Sequence, residues 1–93
     1  MQRETPNDPH ALALAALAAT LTDERRARRF LDLTGIGTDE LRAKADDPAL
    51  LSALIAFLEG HEPDLIAVSE QVGVDPDSLG RARRELEQGQ GEP

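Results

Sequence analysis

The chain has 93 residues, which is the usual length of one domain. It has no cysteine, which excludes disulfides, thiolate metal sites and cysteine nucleophiles. The apolar residues are mostly Leu and Ala, with two Phe and no Trp or Tyr, so we expect an all-α fold. The net charge of −8 opposes long-range attraction to nucleic acid and to acidic membranes.

Proline and glycine residues occur along the chain at positions typical of helix starts and helix ends, and they predict five to six short helices. Asp8-Pro9 is typical of a helix start, and the first helix should run to about Leu21. Thr22 is then expected to cap a second helix that ends at Thr34-Gly35. The remaining predicted boundaries are Thr38, Asp47-Pro48, Gly60, Pro63, Gly73, Asp75-Pro76 and Gln88-Gly89.

These signals predict one compact helical bundle over residues 8–88, with residues 1–7 and 89–93 disordered or frayed. Two segments, residues 30–41 and 68–79, share a glycine followed by an aliphatic residue between two predicted helices. Each segment is typical of a helix-turn-helix-like corner, in which the glycine permits the chain reversal. Two copies are too few to indicate a repeat protein.

The first helix is a candidate contact surface because it adds apolar surface to a chain whose fourth helix is already apolar nearly all round. Leu14, Leu17 and Leu21 form a stripe, and Leu12 lies among alanines beside it. Either both helices fill one core, or the first is covered by a protein partner or a second copy of the chain.

Arginine side chains give two further candidate sites. Arg25, Arg28 and Arg29 share a face of the second helix and could contact an acidic partner or RNA, although mixed-charge faces are usually solvated. On the sixth helix, Arg81, Arg83 and Arg84 follow the second corner, where a DNA-binding helix places its contacts. The acidic residues beside them, and the whole-chain charge, favour an ordinary solvated face instead.

The sequence contains no motif typical of a catalytic, metal-binding or cofactor-binding site. Two isolated histidines do not make a zinc site, and no serine stands in a nucleophile elbow. We therefore expect no enzyme activity, no cofactor and no small-molecule substrate. The apolar run after Pro9 lacks the positive leader of a secretory signal and is too short to span a bilayer, so we expect a cytoplasmic protein without a membrane segment.

The segment Arg29-Phe30-Leu31-Asp32-Leu33-Thr34-Gly35, with Asp47-Pro48, the run 53–58 and the Gly73-Val74 turn, resembles a bacterial family of small helical domains of unknown function. That family is found mainly in alphaproteobacteria, and the resemblance covers most of the chain. It implies a cytoplasmic helical protein without an assigned activity. The leading hypothesis is thus a non-catalytic interaction or regulatory module, and the alternative is a DNA-binding regulator that uses the sixth helix.

Overall fold

The computed structural model describes residues 8–90, and over that range the chain forms six α-helices and no strand. The helices are α1 (Pro9–Leu21), α2 (Glu24–Thr34), α3 (Thr38–Ala43), α4 (Pro48–Glu59), α5 (Glu62–Val72) and α6 (Pro76–Gln90). The predicted all-α bundle is confirmed. The termini 1–7 and 91–93 lie outside the described residues, whereas residues 89 and 90, expected to be frayed, continue α6.

Aspartate side chains begin three of the helices by accepting hydrogen bonds from backbone N–H groups of the first turn. Asp8 accepts from Ala11 at 2.9 Å, and Asp47 accepts from Ala49 at 3.0 Å. For α2 the predicted cap was wrong by one residue, because Asp23 rather than Thr22 accepts from the N–H of residue 26. The Thr22 hydroxyl instead donates to the carbonyl of Ala19 and ends α1.

The two corner glycines adopt the left-handed conformation that the sequence predicts. Gly35 ends α2 with a φ of 72°, and Gly73 ends α5 with a φ of 90°. The aliphatic residues that follow them, Ile36 and Val74, pack half-buried against the core. Gly60 differs: its φ of −77° is ordinary right-handed backbone, so α4 ends there without a left-handed residue.

The core is built around α4, which packs most extensively against α6 and also contacts α1 and α5. Its apolar side chains cover most of its circumference and are buried on several sides, as expected for such a helix. α1 lies against α4, α5 and α6, so three helices of the same chain cover it. The completely buried side chains include Phe30, Leu51, Leu54, Ile55, Leu58, Val68 and Leu79.

The short α3 and the polar α2 lie at the edge of this core. α2 contributes one fully buried side chain, Phe30, whose ring meets the ring of Phe57 edge-on at 5.3 Å. α3 has six residues and buries only Leu41. Because so little of these two helices is buried, the end of α1 beside them is not fully covered.

Candidate interaction groove

An apolar groove of about 390 Å³ opens between the end of α1, the middle of α2 and the whole of α3. We call it the α1–α3 groove. Its lining is almost entirely aliphatic, and the residues are Leu17, Leu21, Ala27, Leu31, Thr38, Leu41, Arg42 and Ala45. Leu17 and Leu41 are buried at its floor, whereas Leu21 at its edge is 40% exposed.

Small side chains at two wall positions account for the groove. Ala27 faces it from α2, and Ala45 faces it from the segment after α3; both are half-buried. A larger aliphatic residue at either position would project into the space that the groove occupies. The turn through Gly35 and Gly37 carries α3 away from α2, and six residues are too few to close the opening.

The structure divides the four leucines predicted as one surface on α1. Leu12 and Leu17 are buried in the core, and Leu14 packs half-buried against it. Only Leu21 is exposed, so α1 does not present the continuous apolar stripe that the sequence indicates. Of the four, Leu17 and Leu21 line the α1–α3 groove, and Leu12 lines a different cleft beside α6.

The three arginines predicted as one face of α2 are also divided. Arg29 donates to Asp64 of α5 at 2.6 Å, and its guanidinium lies 5.3 Å from the centre of the Phe57 ring. Arg25 and Arg28 are exposed and form no ion pair with residues 8–90. Glu24 lies four residues before Arg28 on α2, but the two form no ion pair in the described part of the chain.

Two further basic residues, Arg26 and Arg42, lie at this end of the molecule, and neither was among the predicted site residues. Arg26, whose side chain is only 11% exposed, lies 3.4 Å from Asp23 and 3.7 Å from Asp64. Arg42 lines the α1–α3 groove with 83% of its side chain exposed, and it reaches only the fully exposed Asp39 at 3.9 Å. Arg42 directly follows the buried Leu41, a spacing that does not put two residues on one helix face, so no sequence signal indicated its place at the groove.

Asp23, at the start of α2, has a pKa below its ordinary value. The backbone N–H of residue 26 donates to its carboxylate, and the nearby guanidinium groups favour the ionised form further. The negative charge also lies at the positive end of the α2 dipole. This carboxylate therefore serves to begin α2 and to hold Arg26, whereas Arg25 and Arg28 form no ion pair within residues 8–90.

Basic residues are concentrated in the segment of the chain that includes α2 and α3. Residues 24–44, which include α2 and α3, contain six basic and four acidic residues, a net charge of +2. The rest of the chain contains four basic and fourteen acidic residues, a net charge of −10. Arg42 is the basic residue of this segment that lines the α1–α3 groove, so the apolar groove carries one guanidinium on an acidic protein.

A second concavity, of about 570 Å³, lies between the start of α1 and the corner that joins α5 to α6. It is polar: Arg81 lies among Glu70, Asp75 and Glu85, and its guanidinium is 3.4 Å from the Ser78 hydroxyl. Asp77 and Glu85 each lie four residues from Arg81 on α6, but Arg81 forms no ion pair within residues 8–90. Within residues 8–90 no three His, Asp or Glu side chains are placed to hold a metal ion together.

The three arginines of α6 do not form a common basic face. Arg83 donates to Glu59 of α4 and, at 3.0 and 3.1 Å, to Glu87; these bonds raise its pKa. Gly80 leaves space for the Glu59 carboxylate, since a Cβ there would lie 2.8 Å from its Oε2 atom. Arg83 therefore joins α6 to α4, whereas Arg81 and Arg84 remain exposed.

The fold and the groove together define, over residues 8–90, a small all-helical protein with an apolar groove at its surface. Residues 6–89 match the family described as Protein of unknown function (DUF3572), so the chain belongs to that family. No curated protein and no solved structure matches the chain. The family of unknown function expected from the Arg29–Gly35 segment is thus confirmed, and its bacterial range stays a prediction. None of the helices within residues 8–90 has the length and apolar character needed to span a bilayer.

Proposed function

We propose that this protein is a non-catalytic interaction module and that its contact surface is the α1–α3 groove. One observation carries the proposal: Leu21 is 40% exposed at the edge of an apolar groove whose floor the chain itself builds but does not cover. Apolar concavities with a polar edge are typical of binding sites for proteins and other ligands. Occupation of the groove would remove this apolar surface from water.

The chemistry of the groove supports binding rather than catalysis. Its polar side chains are one hydroxyl, from Thr38, and one guanidinium, from Arg42. Nucleophilic or acid–base catalysis needs a base within hydrogen-bond reach of the group that it activates. The groove lining contains no carboxylate, imidazole or amine that could act as that base.

The test is a comparison of three baits in extracts of cells that naturally produce the protein. The baits are the intact wild-type chain, Ala27→Leu, which fills the α1–α3 groove, and Ala53→Leu, which adds the same side chain at an exposed position of α4. We expect a protein retained by wild type and by Ala53→Leu and lost with Ala27→Leu. Equal retention by all three baits, or by none, would contradict the proposal.

A DNA-binding regulator remains the second candidate, because Arg81 and Arg84 are exposed on the helix that follows the left-handed Gly73. Arg83 supports it less, since its guanidinium is bonded to two carboxylates. A labelled duplex should shift at low salt, and Arg81→Ala and Arg84→Ala should each weaken binding and reduce its salt dependence. If no duplex shifts at low salt, this candidate is excluded.

A further inference from the structure

We infer that the α1–α3 groove binds an amphipathic helix of another protein, apolar on its contact face and acidic along its flanks. This inference rests on the proposed interaction function and adds the secondary structure and the charge of the partner. It draws on three features: the scarcity of hydrogen-bonding side chains in the groove, the exposed arginines on the helices that line it, and the charge of the whole chain.

The lining of the groove determines which backbone conformation can enter it. A buried N–H or C=O group needs a hydrogen-bond partner, and the side chains that line the groove supply only the Thr38 hydroxyl and the Arg42 guanidinium. An extended peptide would need a strand edge to pair with, and residues 8–90 contain no strand. A helix satisfies its own backbone groups and presents apolar side chains at i, i+3, i+4 and i+7, which suits leucines on neighbouring helices.

The edge of the groove determines the charge of that helix. Arg42 lines the groove, and Arg28 is exposed on α2 one helical turn before Leu31, which also lines it. Arg28 has no ion pair within residues 8–90, and Arg42 has only a distant one. Carboxylates on the flanks of a bound helix could accept charge-assisted, bidentate hydrogen bonds from these groups.

Charge also excludes a second copy of the chain as the best occupant. A symmetric dimer through the groove would bring Arg28 and Arg42 close to their own copies. A head-to-tail contact would need an acidic helix with apolar anchors. The closest match is α5, whose Ile66 lies between Glu62 and Glu70. One exposed aliphatic residue covers too little of the groove, so within residues 8–90 no helix of a second copy fits it as well as an acidic helix of another protein would.

The test is a selection of helical peptides on the intact protein. The displayed library keeps leucines at i, i+3 or i+4, and i+7, and varies the flanking positions among Glu, Gln and Lys. We expect peptides enriched in Glu over Lys at the flanks. Their binding should be lost with Ala27→Leu, kept with Ala53→Leu, and weakened about tenfold or more by Arg28→Glu combined with Arg42→Glu.

Each outcome separates this inference from the proposed function. If peptides bind the groove with no preference for Glu, the inference is wrong and the interaction function stands. If no selected peptide is sensitive to Ala27→Leu, both are wrong. If the chain alone forms dimers that Ala27→Leu abolishes, the occupant is a second copy and the inference fails. Arg42→Glu alters an exposed side chain, so its effect on binding does not depend on how the core tolerates Ala27→Leu.

Discussion

Arg29 and Asp64 join α2 to the first turn of α5 through a hydrogen bond of 2.6 Å between Nη2 and Oδ2. The same carboxylate lies 3.7 Å from Arg26, and the Arg29 guanidinium lies 5.3 Å from the centre of the Phe57 ring. These contacts hold α2 on the side opposite the α1–α3 groove. The groove wall formed by Ala27 and Leu31 is therefore fixed in place by contacts that do not cover it.

Asp64→Asn should destabilise the protein by about 1–3 kcal/mol, because it removes the carboxylate shared by two arginines, one of which is largely buried. Asp64 is itself only 15% exposed, so solvent screens these contacts incompletely. Urea unfolding of the purified variant measures the loss. Asp39→Asn is the matched control, since fully exposed Asp39 lies 3.9 Å from Arg42 and should change stability by less than about 0.5 kcal/mol. Equal losses in the two variants would contradict the assigned role.

Gly73→Ala should cost roughly 1 kcal/mol or more, because a side chain at a φ of 90° is strained even though nothing lies within 4 Å of the added Cβ. Gly37→Ala offers the comparison: its φ is −84° and its Cβ also meets nothing. Thermal unfolding of both variants should show a lower midpoint for Gly73→Ala only. A lower unfolding midpoint for Gly37→Ala alone would contradict the assignment of backbone strain to position 73.

The acid dependence of stability should include a contribution from Glu87. Its pKa is lowered first by the hydrogen bond from the Ser52 hydroxyl, at 2.9 Å, and then by Arg83. A lowered pKa in the folded state means that ionised Glu87 stabilises the fold above its ordinary pKa, and that this stabilisation is lost as the pH falls through the lowered value. Glu87→Gln should therefore be less stable than wild type at about pH 7 and should converge with it on acidification.

Urea unfolding at a series of pH values measures this difference between Glu87→Gln and wild type. Glu85→Gln serves as the control, because Glu85 is exposed and forms no ion pair within residues 8–90. A difference for Glu87→Gln that persists unchanged at about pH 3 would show that the carboxylate charge is not its source.

Ala27→Leu should leave the free energy of unfolding unchanged or raise it slightly, because the added side chain enters an existing groove and Leu is a good helix former. Leu17→Ala removes a buried side chain from the floor of the same groove and should cost about 2–4 kcal/mol. Chemical unfolding of both variants checks the contrast. A loss of several kcal/mol for Ala27→Leu would mean that the groove has no space for the leucine.

The helix boundaries could be predicted where one residue had an unambiguous local role. Asp8-Pro9 and Asp47-Pro48 begin helices because the carboxylate caps and the proline fits the first turn. At residues 22 and 23 both side chains are good caps, and the sequence does not reveal that Thr22 bonds backward to Ala19 while Asp23 bonds forward. Which of these two residues caps α2 depends on the direction in which the chain leaves α1.

The candidate site was less predictable because it depends on contacts between distant residues. Local periodicity placed Leu12 and Leu17 on one apolar helix, but it could not show that α4, α5 and α6 cover both. Asp64, the partner of Arg29, is 35 residues away in the sequence, so the sequence could not show that the charge of Arg29 is neutralised. The groove itself is lined by Ala27 and Ala45, which are 18 residues apart in the sequence and which only the fold brings to one cavity.

Position-specific photo-cross-linking in the native cells tests the central claim most directly. A photoreactive residue at position 42, on the edge of the α1–α3 groove, should give a discrete adduct with a second protein, and Ala27→Leu should abolish it. The same residue at position 77, exposed on α6, should not give that adduct. Adducts from position 77 alone, or from position 42 regardless of Ala27→Leu, would contradict the groove as the contact surface.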